Sequence, residues 1–207
     1  MSKKDWVGSG RRAIYTTLGA SSHTDEEREL RDFYATDPIA AEILLQVEEF
    51  NGPIWEPAAG EGHLVNVFRE KGYEVKATDI IERTFKLDEV RDFLYTFDFD
   101  VDLNQKIHII TNPPYKFAQE FIERSLDIVA PGYKVAMFLK LTFCEGKKRK
   151  MLFEHAPPKT IYVSSSRIAC RKNGEFLPDD DGGSAVCYAW FVWEKGFKGN
   201  TTLKWIN

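Results

Sequence analysis

The chain has 207 residues, 28 of them lysine or arginine and 32 aspartate or glutamate, for a formal net charge of −4, and 43% are hydrophobic. That length suits one domain with modest additions, in an ordinary water-soluble globular composition. It is not a broadly basic chain, and the odd set Cys144, Cys170 and Cys187 argues against a disulfide framework; no apolar run approaches a membrane span.

The start, Met1-Ser2-Lys3-Lys4-Asp5, is polar and unlike a signal peptide, so a cytoplasmic protein is expected. His23, His63, His108 and His155 are scattered and none pairs with a cysteine at metal-ligand spacing, so no metal is expected. Residues 1–30 mix Gly, Ser, Thr and charges and are expected to form an arm, with residues 31–207 as a single domain. A nucleic-acid partner would have to use local basic patches. Arg11-Arg12 in the arm and Lys147-Lys148-Arg149-Lys150 are the two candidates, each of which also suits a solvated surface.

Asp37 is a good helix cap and Pro38 a good first helical residue. The helix they begin runs from Ile39 to about Glu49, with Ile39, Ile43, Leu44 and Val47 on one face, and Asn51-Gly52-Pro53 stops it. Ile54-Trp55-Glu56 is a short strand, Gly62 to Lys71 a helix stopped at Gly72, and Tyr73 to Thr78 a second strand ending at Asp79. A third element lies near Asp92-Phe93-Leu94, and Lys106 to Thr111 is the fourth strand. Lys116 to about Ala130 is the clearest helix, because Phe117, Phe121, Leu126 and Val129 recur near the helical period. Tyr133 to Lys140 is a near-continuous apolar strand, as in a parallel sheet covered on both faces. A helix around Lys147 to His155 follows, and the last strands expected are Thr160 to Ser164 and Ala185 to Trp193, with a polar loop from Arg171 to Gly183 between them. The alternation predicts an α/β fold: a Rossmann-like, doubly wound, mostly parallel seven-stranded sheet with helices on both faces.

Two strand ends carry chemistry. Glu56-Pro57-Ala58-Ala59-Gly60-Glu61-Gly62 forms the first strand–helix turn, where Gly60 and Gly62 let backbone approach a ligand. The third glycine of a dinucleotide fingerprint is absent, so a pyrophosphate cradle is disfavoured and a nucleoside or amino-acid-like ligand suits better. Asp79 stands nineteen positions beyond Gly60 at a strand end, where an acid can accept both ribose hydroxyls; alone, it could equally be a helix cap. The second end is Asn112-Pro113-Pro114-Tyr115, directly after the apolar Ile107 to Thr111. Two prolines stiffen the backbone and display an amide and a phenol. The Asn oxygen and a neighbouring carbonyl can accept both hydrogens of an exocyclic amino group while the Tyr ring stacks on its heterocycle.

These stretches, in this order, resemble class I S-adenosylmethionine-dependent amino-methyltransferases, and most of all the adenine-N6 DNA methyltransferases. The resemblance covers about residues 33 to 165 and implies S-adenosyl-L-methionine as the cofactor. It implies that Tyr34 and Thr36, in Phe33-Tyr34-Ala35-Thr36-Asp37-Pro38, help hold the methionine part, with Glu56, Pro57, Gly60 and Gly62 lining methionine and ribose. Asp79 would hold the ribose hydroxyls, Asp92 the cofactor's adenine amino group and Phe93 its ring. Asn112 and the Pro113 carbonyl would hold the target amino group and Tyr115 would stack on the target base. Relatives with the same tetrapeptide act on rRNA adenine or on a protein glutamine, so those substrates stand as alternatives, as does a non-catalytic nucleic-acid-binding module. The chain has no room for a sizeable target-recognition domain. Substrate binding is therefore expected from Arg11, Arg12, Arg167, Arg171 and Lys172, with DNA the expected partner.

Overall fold

The computed structural model describes residues 35–95, 103–166, 168, 170–171 and 186–206. Its elements in chain order are β1 (Ala35–Thr36), α1 (Ile39–Val47), β2 (Ile54–Glu56), α2 (His63–Glu70), β3 (Val75–Asp79), β4 (Glu89–Val90) and β5 (His108–Thr111). A 3-10 turn at Tyr115–Phe117 leads into α3 (Ala118–Ile128), followed by β6 (Lys134–Lys140), a second 3-10 turn at Leu141–Cys144 and α4 (Lys147–His155). Then come β7 (Thr160–Ser164), β8 (Cys170–Arg171), β9 (Tyr188–Glu194) and β10 (Thr202–Ile206). Asp37 caps α1 as expected, its Oδ1 accepting the Ile39 N–H at 3.0 Å.

The main sheet has the order β10-β7-β9-β6-β5-β2-β3-β4, and only β9 runs antiparallel to its neighbours. Eight strands therefore stand where seven were expected. The addition is β10, which pairs in parallel with β7 at the sheet edge. Its residues Thr202 to Trp205 are all exposed, so it lacks the apolar signature that marks the central strands. A separate two-stranded ribbon, not foreseen, pairs β1 with β8 antiparallel, Thr36 opposite Cys170 and Ala35 opposite Arg171.

Period-two alternation sends successive strand residues into two different cores. On β6, Ala136 and Phe138 join Ile54, Ala77, Ile110, Trp190 and the inner faces of α1 and α2. Val135, Met137 and Leu139 join Trp55, Ile109, Phe191, Trp193 and residues of α3 on the other face. The indoles of β9 tie both layers down: Trp190 Nε1 donates to the Ala40 carbonyl at 2.8 Å, and Trp193 Nε1 to that of Ala156 at 2.9 Å. A sheet covered on both faces leaves its strand ends as the place for ligands. No helix among the described residues is long and apolar enough to cross a membrane.

Candidate active site

Strands β2, β3, β5 and β6 run parallel, so their carboxyl ends open on one side of the sheet. The sheet order reverses between β2 and β5, because β3 and β4 extend from one flank of β2 and β5 and β6 from the other. Such a reversal leaves a crevice beyond the strand ends. A cavity of about 800 Å³ lies there, and its lining includes Thr36, Glu56, Asp79, Phe93, Asn112 and Tyr115. The first-turn carboxylate, the second-strand acid and the tetrapeptide thus face one space. Pro57, Asp92 and Pro113 line it too.

Glu56 ends β2 and is only 1% exposed. Its Oε1 accepts the Ala58 N–H at 3.2 Å, while Oε2 is buried with no hydrogen-bond partner among the described residues. Burial pushes the Glu56 carboxyl up to about 8; the Thr111 hydroxyl, which falls short of hydrogen-bond geometry, and the Ala58 N–H pull the other way, and Asp79 adds a further upward push. A buried acceptor oxygen with no partner disfavours the charged form, in line with the upward shift.

Asp79 ends β3 and is largely satisfied by its own loop. Oδ2 accepts the Gly60 N–H at 2.9 Å and Oδ1 the Ile81 N–H at 3.1 Å, and Arg83 lies 3.5 Å from Oδ1. Trp55 Nε1 donates to the Thr78 hydroxyl at 2.9 Å, which pins β2 to β3 directly behind this pair of acids. Gly60 and Gly62 both take left-handed conformations, with φ of 57° and 77°. Neither lines the cavity. Gly60 is the donor that holds Asp79, and a Cβ on Gly62 would stand 2.2 Å from the Phe85 ring. A side chain on Gly62 would thus have both to adopt that backbone and to displace the Phe85 ring. Asp92 Oδ1 closes its own turn on the Leu94 and Tyr95 N–H groups at 3.0 and 3.3 Å. Phe93 is buried between Trp55 and Phe121, with ring centroids 5.3 and 4.9 Å away.

Beyond β5 the two prolines run into the Tyr115–Phe117 turn, which the Phe117 N–H closes on the Pro114 carbonyl at 2.9 Å. Asn112 Nδ2 donates to the Thr36 hydroxyl at 2.8 Å. The Tyr115 ring has the Lys140 ammonium 4.6 Å from its centroid and the Tyr188 ring at 6.2 Å. Lys140 lines the cavity, and so do Arg83, Arg91 and Lys116. Sequence reasoning placed Lys140 only at the end of an apolar strand; a lysine at the carboxyl end of such a strand was the signal available. Of the basic patch on α4, Arg149 is committed to structure, donating to the Thr142, Phe143 and Glu145 carbonyls and lying 4.5 Å over the Phe143 ring.

No protein-family model matches the chain, and the sequence search against curated proteins likewise returned no match. Solved structures do match in fold. A Listeria monocytogenes protein described as a class I S-adenosylmethionine-dependent methyltransferase superposes with a TM-score of 0.56 at 13% identity, covering 93% of this chain and 70% of that one. The M protein of the type I restriction enzyme EcoKI gives 0.56 at 15% identity, covering 90% of this chain and 47% of that one. A protein of Agrobacterium tumefaciens described as a predicted O-methyltransferase gives 0.55 at 14% identity, covering 80% and 85%. The fold is a Rossmann-like methyltransferase fold. Within it, the cavity sits where the strand order reverses, and β10 is an eighth strand at the edge. Tyr34, Arg11, Arg12, Arg167 and Lys172 lie outside the described residues. The backbone of Arg171 pairs with Ala35 on the ribbon beside Thr36.

Proposed function

We propose that this chain is an S-adenosylmethionine-dependent methyltransferase that methylates the N6 amino group of adenine in DNA. The observation that carries the reading is one cavity whose lining brings Glu56 and Asp79 together with Asn112 and Tyr115. The cofactor fits the donor set. The Glu56 carboxyl in the cavity wall suits an amino-acid ammonium, Asp79 suits ribose hydroxyls, and Asp92 and Phe93 suit an adenine edge and face. About 800 Å³ also lies within the usual range of ligand pockets. When bound, that cofactor supplies a methyl group already activated by its sulfonium sulfur.

The chain's own residues then have to prepare the nitrogen. An adenine amino group is a poor nucleophile because its lone pair is delocalised into the ring. Asn112 Oδ1 and the Pro113 carbonyl accept its two hydrogens, favour a pyramidal nitrogen and free the lone pair. On methyl transfer, one of those two hydrogens would leave the nitrogen as a proton toward water. Tyr115 holds the base by stacking, which is worth roughly 1–3 kcal/mol per base and offsets part of the cost of taking a base out of a duplex. Alignment of nitrogen, methyl and sulfur can supply ~7–11 kcal/mol of the barrier, so no strong base is needed. Arg11, Arg12, Arg167, Arg171 and Lys172 are proposed to meet the phosphates.

The test is incubation of the full chain with methyl-labelled cofactor and separate DNA, RNA and protein substrates. Label recovered as N6-methyladenine from DNA supports the reading. Label confined to RNA or to glutamine reassigns the substrate, and cofactor binding without transfer to any substrate makes the chain a binding module.

A further inference from the structure

The charged residues of the cavity lining divide by strand. Glu56 ends β2, Asp79 ends β3, and Arg83, Arg91 and Asp92 follow β3 and β4. The two arginines of that flank face acids: Arg83 lies 3.5 Å from Asp79 and Arg91 2.7 Å from Glu89. On the other flank, where β5 and β6 end, the lining holds Lys116 and Lys140 and, among the described residues, no acid. Asn112 and Tyr115 belong to this second flank. We infer that Lys140 is a substrate contact that takes a phosphate of the target nucleotide, so that the cavity accepts its adenine as part of a nucleotide. The inference rests on the methyl-transfer reading for where the target lies, and it narrows the substrate to nucleic acid.

Lys140 is half-buried at the end of β6, and its backbone is fixed by pairing with Tyr188 of β9. Both of these cross-strand neighbours meet Tyr115: the Lys140 ammonium lies 4.6 Å from the Tyr115 ring centroid, and the Tyr188 ring 6.2 Å from it. The ring proposed to stack on the target base is therefore also the ring beside the ammonium. A ring face attracts a cation without neutralising its charge. A lysine ammonium is a compact charge with three donors on a flexible stem, so it can turn to a phosphate oxygen at the edge of the ring. A nucleotide whose base stacks on Tyr115 brings its own phosphate to this flank. A glutamine side chain brings no anion of its own there.

The experiment uses the full chain with S-adenosylhomocysteine, the demethylated cofactor, in excess, so that an added nucleoside meets the target end of the cavity. Calorimetry compares deoxyadenosine with its 5′- and 3′-monophosphates in wild type, Lys140→Gln and Lys140→Arg. Wild type should bind one of the monophosphates about tenfold or more tighter than deoxyadenosine, as expected for a hydrogen bond between charged groups, and Lys140→Gln should lose that preference while holding deoxyadenosine affinity within about threefold. Lys140→Arg should retain the preference. The ribonucleotides, run alongside, identify whether DNA or RNA supplies the phosphate, and a preference for either supports the subsite. A preference that survives in Lys140→Gln, or that wild type lacks, overturns the proposal. An equal loss for nucleoside and nucleotide in Lys140→Gln also overturns it, because it makes Lys140 a support for the Tyr115 ring and no phosphate contact. Labelled methyl transfer separates the two readings. A phosphate preference in a wild type that methylates nothing leaves the subsite standing and removes the methyltransferase reading; DNA methylation with the preference intact in Lys140→Gln does the reverse.

Discussion

At the residue scale the tetrapeptide and the loop glycine give separable effects. Asn112→Ala should keep cofactor affinity and lose on the order of 10²–10³-fold in single-turnover transfer, because in the proposed mechanism its oxygen acts chiefly as the transition state forms. Tyr115→Ala should weaken substrate capture by roughly 1–3 kcal/mol, read as a higher KM, and Tyr115→Phe should lose little because the ring remains. Gly62→Ala is a stability effect. It carries a left-handed backbone cost of ~1–2 kcal/mol and a steric cost of ~1–3 kcal/mol against Phe85, whose ring a Cβ would meet at 2.2 Å. A double-mutant cycle with Phe85→Ala, followed by chemical denaturation, should recover the steric part and leave the backbone part. No coupling between the two positions would show that the loop moves to admit the Cβ.

At the element scale, strand β10 separates exposure from burial on a single five-residue edge. Leu203 is 44% and Trp205 71% exposed, whereas Ile206 is buried. Trp205→Lys and Leu203→Lys should shift stability by no more than about 0.5 kcal/mol, and Ile206→Ala should cost roughly 2–4 kcal/mol, all from urea midpoints with unchanged slope. The same strand shows what the amino-acid order reveals and conceals. β6 and β9 were legible because Val135 to Leu139 and Tyr188 to Trp193 are apolar at every position, as burial on both faces demands. The start of α1 was legible because a cap is a local device. Glu56, Asp79 and Asn112 were legible as candidates because the first two end strands and the third directly follows one, each beside a turn residue. β10 was hidden by its exposure, and β1 and β8 by their two-residue length, since each is a strand only through the other. Lys140 over Tyr115, Thr36 on Asn112 and Phe85 against Gly62 are meetings of distant segments, which no local pattern encodes.

At the scale of the whole molecule, two buried titrating groups oppose one another. His108, at the amino end of β5, accepts the Lys134 N–H on Nδ1 at 3.0 Å. Burial, and then the Lys134 charge, lower it from 6.5 to about 4, with the Asn51 backbone pulling weakly the other way. Its stabilising effect is complete above pH 6.5 and is lost as pH falls toward 4. Glu56, raised from 4.5 to about 8, favours the fold most below pH 4.5 and loses that advantage as pH climbs to 8. Each contributes about 1.4 kcal/mol per pH unit in its window. The two cancel between the unfolded values of 4.5 and 6.5, leaving a net fall of about 2 kcal/mol from pH 6.5 to 8 without ligand. Urea titrations across that range should show the fall, and Glu56→Gln should abolish it; a flat wild-type profile would mean that Glu56 is ionised in the fold. The position of β9 has a consequence for synthesis. β9 lies between β6 and β7, yet a ribosome makes it after both, and β10 docks only on β7. The far half of the sheet therefore cannot close until Tyr188–Glu194 has been translated. A message cut short after Ser164 would release a chain with the β6 edge bare and β7 without its partner, the kind of open edge that recruits other chains. Such a product should sediment into the pellet under conditions that keep the full chain in the supernatant, and its recovery as a dispersed, folded species would show that β6 and β7 find another way to pair.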